Sequence, residues 1–256
     1  MNCSRFLEYQ DLVACKKKKG KLIMTKNEIT DLFLEDYGLE RPKKWSIKTY
    51  LICILIIVIG WIIMALHIMK EQKFKAEYAR RQREYPKMYA EEIKKFIGDT
   101  SALKASGLKK TGLEEDQITT LKPIFFWGYE WDAKDSYYRI GSTAGDICSI
   151  ATFTFLFFTE DQVVVYRLLK DFYHGTQKEN TTEYFYEDIT NIKTGEETKE
   201  INKTTSINYN SLTLIVPGDS YRMSVSSASD DISNSVQGMK TLLRNKKKGN
   251  RGGYDA

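Results

Sequence analysis

The stretch between Tyr50 and Met69 constrains the fold of this 256-residue chain more than any other feature. It holds no Asp, Glu, Lys or Arg, and isoleucine and leucine dominate it. About twenty apolar residues that rise 1.5 Å each cover about 30 Å, the thickness of the hydrocarbon core of a bilayer. A cleaved export signal would lie nearer the N-terminus and end in small residues, unlike Leu66–Met69. The run therefore predicts a transmembrane helix over residues 50–69, in a protein that crosses the membrane once.

The segment before this run, residues 1–49, is an N-terminal tail with two alternative starts. Codons for the stretch KKKKGKLIM, which leads into Met24, can resemble a bacterial ribosome-binding site. One hypothesis is that translation begins at Met24 and that residues 1–23 are a leader; the alternative is a basic, disordered arm. Beyond Met24, the spacing of Thr25 and Glu28 is that of a capping box and predicts a helix. The apolar side of that helix carries Ile29, Leu32 and Phe33.

The distribution of charge restricts the function of the chain. The net charge is +5, and residues 1–70 hold 12 Lys and Arg against 7 Asp and Glu. Residues 71–256 hold 27 of each sign and are neutral overall, which argues against nucleic acid as the main partner. Only one of the four cysteines, Cys148, lies beyond the apolar run, so that part has neither an internal disulfide nor a Cys-x-x-Cys zinc motif.

Residues 70–120 are expected to contain juxtamembrane helices and a linker. Helix-forming residues follow Lys70, and Pro86 is expected to break or restart the helix. A basic cluster in this part is a candidate contact for anionic lipids. Its members are Lys73, Lys75, Arg80, Arg81 and Arg83. The alternative is that the cluster is simply the solvated face of a helix.

The residue pattern becomes typical of β-strands after residue 120. Short segments with alternating or aromatic side chains are separated by turn signals, which is typical of an antiparallel sheet. The predicted strands are 121–131, 151–158, 162–169, 182–192, 211–216 and 221–226, with a turn at Pro217-Gly218. From Asp230 to Lys246 the apolar residues instead have helical spacing and predict a closing amphipathic helix, followed by a disordered tail over residues 247–256.

Six or seven antiparallel strands closed by one C-terminal helix give an α+β chain whose residues 121–246 resemble a bacterial pleckstrin-homology-like (PH-like) domain beside a membrane anchor. The segments that carry the resemblance are FLFFTEDQVVVY, YFYEDITNI, LTLIVPGDSYRMSV and GMKTLLRNKKK. The resemblance implies a binding domain and supplies no catalytic or ligand-binding residue that can be placed on this chain. Glu160 and Asp161 occupy the turn between two early strands, where a lipid-binding PH domain would need basic residues.

Aromatic side chains form the most suggestive candidate site. The candidate interaction surface comprises Phe126, Trp127, Tyr129, Trp131, Tyr184 and Tyr186. An exposed aromatic surface of this kind would dock a protein partner or the membrane interface. The alternative is that part of it packs inside the sheet.

The motifs favour a protein that is not an enzyme and that uses no cofactor and no metal. The sequence contains no GxxxxGK[ST], HExxH or GxSxG motif. Two functions stay open: a membrane-anchored adaptor that binds a protein segment, and a structural subunit of a cell-envelope assembly of the secretion or conjugation type. The first function expects the large domain in the cytoplasm, and the second expects it outside. Seven basic residues follow the apolar run and four precede it, which favours the cytoplasm. Both predict the lipid bilayer and a protein as partners.

Overall fold

The structure, a computed structural model, describes residues 24–34, 37, 39, 41–55, 59–118, 121–226 and 230–251. The expectations for residues 1–23 and for 252–256 lie outside these ranges. The disordered tail was expected to begin at residue 247, but the last helix continues to Arg251. The chain divides into two compact units, Met1–Lys95 and Phe96–Ala256. The described helices are α1 (Lys26–Leu34), α2 (Ile47–Leu55), α3 (Ile59–Gly98), α4 (Thr100–Thr111) and α5 (Asp230–Arg251), with a 3-10 turn at Glu115–Gln117. The described strands are β1 (Leu121–Tyr129), β2 (Tyr138–Ser142), β3 (Gly145–Cys148), β4 (Ile150–Phe158), β5 (Gln162–Asp171), β6 (Thr176–Phe185), β7 (Asn191–Asn202), β8 (Thr205–Val216) and β9 (Asp219–Val225).

Helix α1 begins with the predicted capping box. The backbone N–H of Thr25 donates to Glu28 Oε2 at 2.9 Å, and the N–H of Glu28 donates to Thr25 Oγ1 at 3.4 Å. These two bonds satisfy donors that the first turn of a helix would otherwise leave unpaired. The predicted apolar side of the helix is confirmed, since Ile29, Leu32 and Phe33 are all buried.

The transmembrane helix expected over residues 50–69 is wrong. Helix α2 ends at Leu55 and α3 begins at Ile59, and residues 56–58 lie outside the described ranges. The ring of Tyr50 is 6.2 Å from the ring of His67, whereas one continuous helix would separate these residues by about 25 Å. No helix among the described residues has both the length and the apolar character that a membrane crossing requires. Hydropathy identified the apolar run but not the packing that folds it back on itself.

Aromatic packing on α3 forms the core of the first unit. The rings of Phe33 and Tyr89 meet edge to face at 5.3 Å, and those of Tyr37 and Tyr85 at 5.5 Å. Edge-to-face pairs of this kind are favourable beyond the area they bury. Pro86, which was expected to break the helix, lies buried inside α3, and the helix runs through it to Gly98.

The second unit contains two antiparallel sheets. The first has the order β1-β4-β5-β6 and the second the order β7-β8-β9, while β2 and β3 form a separate hairpin. The two sheets meet where β1 approaches β9, since the N–H of Ser226 donates to Trp127 O at 2.8 Å. Gly128 makes this approach feasible, because a Cβ there would stand 2.4 Å from Ser224 O. Across this junction the strand order is therefore β6-β5-β4-β1, then β9-β8-β7.

The core of the second unit lies between the two sheets and under α5. Alternate residues of the strands supply one side of this core and the apolar stripe of α5 supplies the other. The stripe predicted for α5 is confirmed at Val236, Met239 and Leu243, all of which are buried. The other core residues include Ile124, Phe126, Leu156, Phe158, Val163, Val165, Ile192, Leu212, Leu214, Met223 and Val225.

Strand β4 is buried along its whole length, because its second face is also covered. Phe153, Phe155 and Phe157 alternate along β4 and occupy that face, where the ring of Phe96 lies 4.6 Å from that of Phe153. Gly107 of α4 packs on the same face, because a Cβ added there would stand 3.1 Å from Phe157 Cζ. Residues 70–120 were expected to contain helices and a linker, and α4 is a packed helix in the later part of that segment.

Candidate functional site

The aromatic surface expected from the sequence is mostly part of the core. Phe126, Trp131, Tyr184 and Tyr186 are all buried, and they are therefore corrected from a docking surface to packing residues. Trp127 and Tyr129 are half-buried and lie on β1. Strand alternation brings every second side chain to one face, so consecutive aromatic residues cannot form one exposed surface.

Hydrogen bonds and electrostatics fit this interior placement. Tyr186 donates its hydroxyl to Thr159 O at 2.8 Å, and burial raises the pKa of Tyr186 to about 12. Burial likewise raises the pKa of Tyr129. Trp131 stacks on Tyr138 with ring centroids 5.9 Å apart, and the Tyr138 hydroxyl donates back to Trp131 O at 2.7 Å. These rings position the β2–β3 hairpin.

The basic cluster on α3 is largely engaged within the protein. Arg81 is buried and donates to Tyr37 O and to Glu77, so it is corrected from a lipid contact to a structural residue. Arg80 forms ion pairs with Glu77 at 2.7 Å and with Glu84 at 3.1 Å. Lys75 pairs with Glu71 at 3.2 Å, and Arg83 donates to Ala79 O at 3.3 Å. Lys73 is exposed, and of the five candidates it fits the lipid-contact role best.

A groove along strand β7 is a concave surface of the second unit. One part of it, about 400 Å³, lies between Thr194–Glu196 of β7 and Val236–Lys240 of α5. A second part, about 260 Å³, lies between Ile189–Ile192 and Lys240–Lys247. Lys240 lines both parts, so the groove runs along β7 and α5, which pass in opposite directions.

The floor of the groove is apolar and its helix side is basic. Phe126, Leu212, Val225 and Val236 line the first part, and Ile192 and Leu243 line the second. Lys240, Arg244 and Lys247 line the helix side, and Lys247 also donates to the backbone oxygen of Ile189. The strand side contributes one acidic residue, Glu196. A ligand with apolar side chains and a negative charge facing α5 fits this lining.

Strand β7 has a free edge facing the groove. It is the outer strand of its sheet, with β8 as its one neighbour among the described strands. An edge strand presents backbone N–H and C=O groups that can pair with another strand. Gly195 lies in the middle of this edge, and a Cβ added there would meet nothing within 4 Å. A glycine inside a strand often marks a place where another backbone approaches closely.

Charged clusters elsewhere in the unit hold its elements together. Arg167 of β5 pairs with Glu130 in a partly buried ion pair, and burial raises the pKa of Glu130 against the opposing effect of the Arg167 charge. Asp132 accepts from Tyr209 at 3.0 Å and from Arg222 at 2.8 Å, and it pairs with Lys199 at 3.1 Å. These contacts tie the segment after β1 to β5, β7, β8 and β9.

Two side chains of the kind that catalysis uses, His174 and Cys148, have structural surroundings. His174 Nδ1 lies 2.6 Å from Asp171 Oδ2, but Asp171 Oδ1 also accepts the backbone N–H groups of Tyr173 and His174 and therefore caps a turn. Burial raises the pKa of the fully buried Cys148 to about 12, which keeps it as an unreactive thiol. No metal-binding group of histidine, cysteine and acidic residues occurs within the part of the chain that the structure describes.

Sequence reasoning missed the groove. Thr194, Gly195 and Glu196 lie in a polar stretch that was not predicted to be a strand, and Lys240 lies on the polar side of the closing helix. The one available signal was Gly195 inside a polar stretch, between Lys193 and Glu196. The chain matches no protein-family model, no curated protein and no solved structure.

Proposed function

We propose that this protein is a non-enzymatic interaction module whose PH-like domain, residues 121–246, binds an extended protein segment by adding it as a strand to the edge of β7. The observation that carries the proposal is the groove itself, an apolar trough between a free strand edge and a helix. Strand addition uses the backbone groups of the edge for affinity and the pockets beside it for specificity.

The assignment to a PH-like fold is supported by the order of the strands. The order β6-β5-β4-β1 followed by β9-β8-β7, with α5 closing the core, is what an antiparallel sheet bent around one helix produces. The β2–β3 hairpin is an insertion between the first and second strands of this arrangement.

The lining of the groove defines the chemistry of the partner. The free edge of β7 from Asn191 to Glu196 spans about 17 Å at 3.3 Å per residue, which accommodates about six residues of an extended segment. Alternate apolar side chains of that segment would enter the trough over Leu212 and Ile192. Lys240 and Arg244 favour acidic side chains at the helix side, because opposite charges attract across a partly desolvated surface.

A displayed library of random peptides, selected on the full chain, tests this proposal. Selected peptides should contain alternating apolar residues with at least one acidic residue, and their affinity should fall at least about tenfold for Gly195→Trp and for Lys240→Glu. Gly195→Trp places a bulky side chain on β7 beside the groove, at a position where an added Cβ meets no atom within 4 Å.

A matched control is Gly98→Trp at the end of α3, where an added Cβ likewise meets nothing within 4 Å and the φ is not positive. It should leave peptide affinity unchanged. Peptides that bind Gly195→Trp as tightly as the unchanged protein would contradict strand addition at β7. A library that yields no groove-dependent peptide would contradict the proposed function as a whole.

A further inference from the structure

Helix α2 and the first turns of α3 form a hairpin. The Nε2 atom of His67 lies 2.9 Å from Lys43 O, and its ring lies 4.4 Å from the ring of Trp45. Tyr50, in the first turn of α2, also packs on His67. Only three residues separate the end of α2 from the start of α3. These contacts place the start of α2 beside the second and third turns of α3.

The outer surface of this hairpin is apolar and open to solvent. No charged residue occurs between Thr49 and Met69. The exposed fraction of its large apolar side chains ranges from 42% at Ile68 to 79% at Ile47. The others in this set are Leu51, Ile52, Ile59, Trp61, Ile62, Ile63, Leu66 and Met69. A contiguous apolar surface of this kind requires an apolar partner.

The dimensions of the hairpin match one leaflet. Helix α2 has nine residues, which at 1.5 Å each give a length of about 14 Å. The hydrocarbon core of a bilayer is about 30 Å thick, so each leaflet contributes about half of that. Backbone groups in the interior of a helix are paired within that helix, as a hydrocarbon environment requires.

The open end of the hairpin has the chemistry of a membrane interface. Trp45 and Tyr50 lie there beside His67, and amphipathic aromatic rings prefer the headgroup level. Exposed lysines lie on both sides of this apolar segment, before and within the start of α2 and after the apolar part of α3. They are Lys43, Lys44, Lys48, Lys70 and Lys73. Each lysine near an anionic surface raises membrane partitioning about fivefold.

We propose that this hairpin inserts into one leaflet of an anionic bilayer and anchors the protein there without crossing it. Charge complementarity identifies the occupant: lysines surround the open end of an uncharged, apolar body. A second copy of the chain, seated side by side, would bring the same lysines together instead. Both flanks of the hairpin then stay on one side of the membrane. This anchoring site is separate from the groove on β7 and does not depend on it.

Flotation of the full chain with sealed vesicles, made of phosphatidylcholine with and without phosphatidylglycerol, tests the anchor. The substitutions Leu51→Asp and Ile62→Asp together should lower partitioning by more than about tenfold. Each replaces a large apolar side chain, which gains free energy on entering the membrane, with a charge. The pair Gln82→Asp and Ser101→Asp is the control: it adds the same charge at exposed helical positions and should change partitioning by less than about threefold.

Two further readings distinguish insertion from other modes of attachment. Acyl chains that carry bromine should quench Trp61, and the quenching should disappear in Trp61→Phe. In a background where Cys3, Cys15 and Cys53 are replaced by alanine, Lys48→Cys and Lys73→Cys should both react with an impermeant maleimide outside the vesicles, while the buried Cys148 does not.

Any of four results would overturn the anchor. The double Asp variant could float as well as the unchanged protein, or high salt alone could release it completely, which means adsorption by charge only. One of the two cysteines could be protected inside the vesicle, which means a crossing. The protein could stay off vesicles and dimerise through Leu51 and Ile62, which means that a second copy covers the surface.

Discussion

A methyl group at Gly128 should weaken the junction that joins the two sheets of the second unit. The added Cβ would stand 2.4 Å from the backbone oxygen of Ser224 and 2.6 Å from its carbonyl carbon. Ordinary contact begins near 3.4 Å, so β1 and β9 would have to separate by about 1 Å. The bond from the N–H of Ser226 to Trp127 O, 2.8 Å long, lies at the same junction and would lengthen.

The expected cost of Gly128→Ala is about 2 kcal/mol in the free energy of unfolding. Overpacking costs about 1–3 kcal/mol and a weakened hydrogen bond about 1 kcal/mol. The lower entropy of the unfolded chain returns about 0.4–1 kcal/mol when alanine replaces glycine. For a unit of this size each kcal/mol lowers Tm by about 2–4 °C, so the expected decrease is about 4–8 °C.

Calorimetry and urea unfolding of the variant measure this cost, with Gly195→Ala as the control. At Gly195 a Cβ meets nothing within 4 Å, so the free energy of unfolding should stay constant or rise by up to about 1 kcal/mol. If the two variants have the same stability, β1 and β9 do not approach closely and the strand order across the junction is incorrect.

Two further predictions concern charge. Hydrogen bonds from Arg80 and Arg81 lower the pKa of Glu77 to about 2, so its stabilising contribution is complete above its ordinary pKa of 4.5 and is lost as the pH falls toward 2. Glu77→Gln should therefore remove the loss of stability of the first unit between about pH 4.5 and pH 2 that protonation of Glu77 causes. An unchanged acid unfolding curve, measured by circular dichroism, would refute this prediction. Arg167→Ala should cost about 3–5 kcal/mol at neutral pH, because Glu130 is left partly buried without its partner. Since burial raises the pKa of Glu130, the loss should shrink as the pH falls toward 4.5, and a pH-independent loss in urea unfolding would contradict this account.

Local signals in the sequence predicted much of the secondary structure. Five of the six predicted strands are present, but residues 182–192 contain the end of β6, a turn and the start of β7 instead of one strand. Pro217-Gly218 forms the turn between β8 and β9 with a φ of 81° at Gly218. The stripe of α5 and the capping box of α1 also follow from spacing alone. These features depend on neighbours within one or two turns of the chain, so a pattern of residues is enough to reveal them.

Features that depend on distant contacts were not predictable in the same way. The apolar run satisfied every criterion of length and composition for a crossing helix, but the contacts of His67 with Trp45 and Lys43 fold it into a hairpin. Strands β7 and β8 extend through a polar stretch because each supplies the backbone partner of the other, which hydrophobic alternation does not record. Arg81 looked like one of five equivalent basic residues, and only the position of Tyr37 shows that it is structural.

The candidate site was hidden for the same reason. Gly195 and Lys240 lie in different elements, and each is unremarkable in its own segment. The groove exists only because α5 passes beside the free edge of β7. The aromatic residues that stood out in the sequence are conspicuous because they build the core.

Backbone amide exchange along β7 tests strand addition most directly. The measurement compares the full chain alone, with a peptide selected on it, and with the same peptide and Gly195→Trp. Because antiparallel strands form their bonds at every second residue, we expect alternate amides between Asn191 and Glu196 to exchange at least about tenfold more slowly when the peptide is bound. Gly195→Trp should abolish this protection. Protection of α5 or of the β2–β3 hairpin instead, with β7 unchanged, would contradict the proposed function.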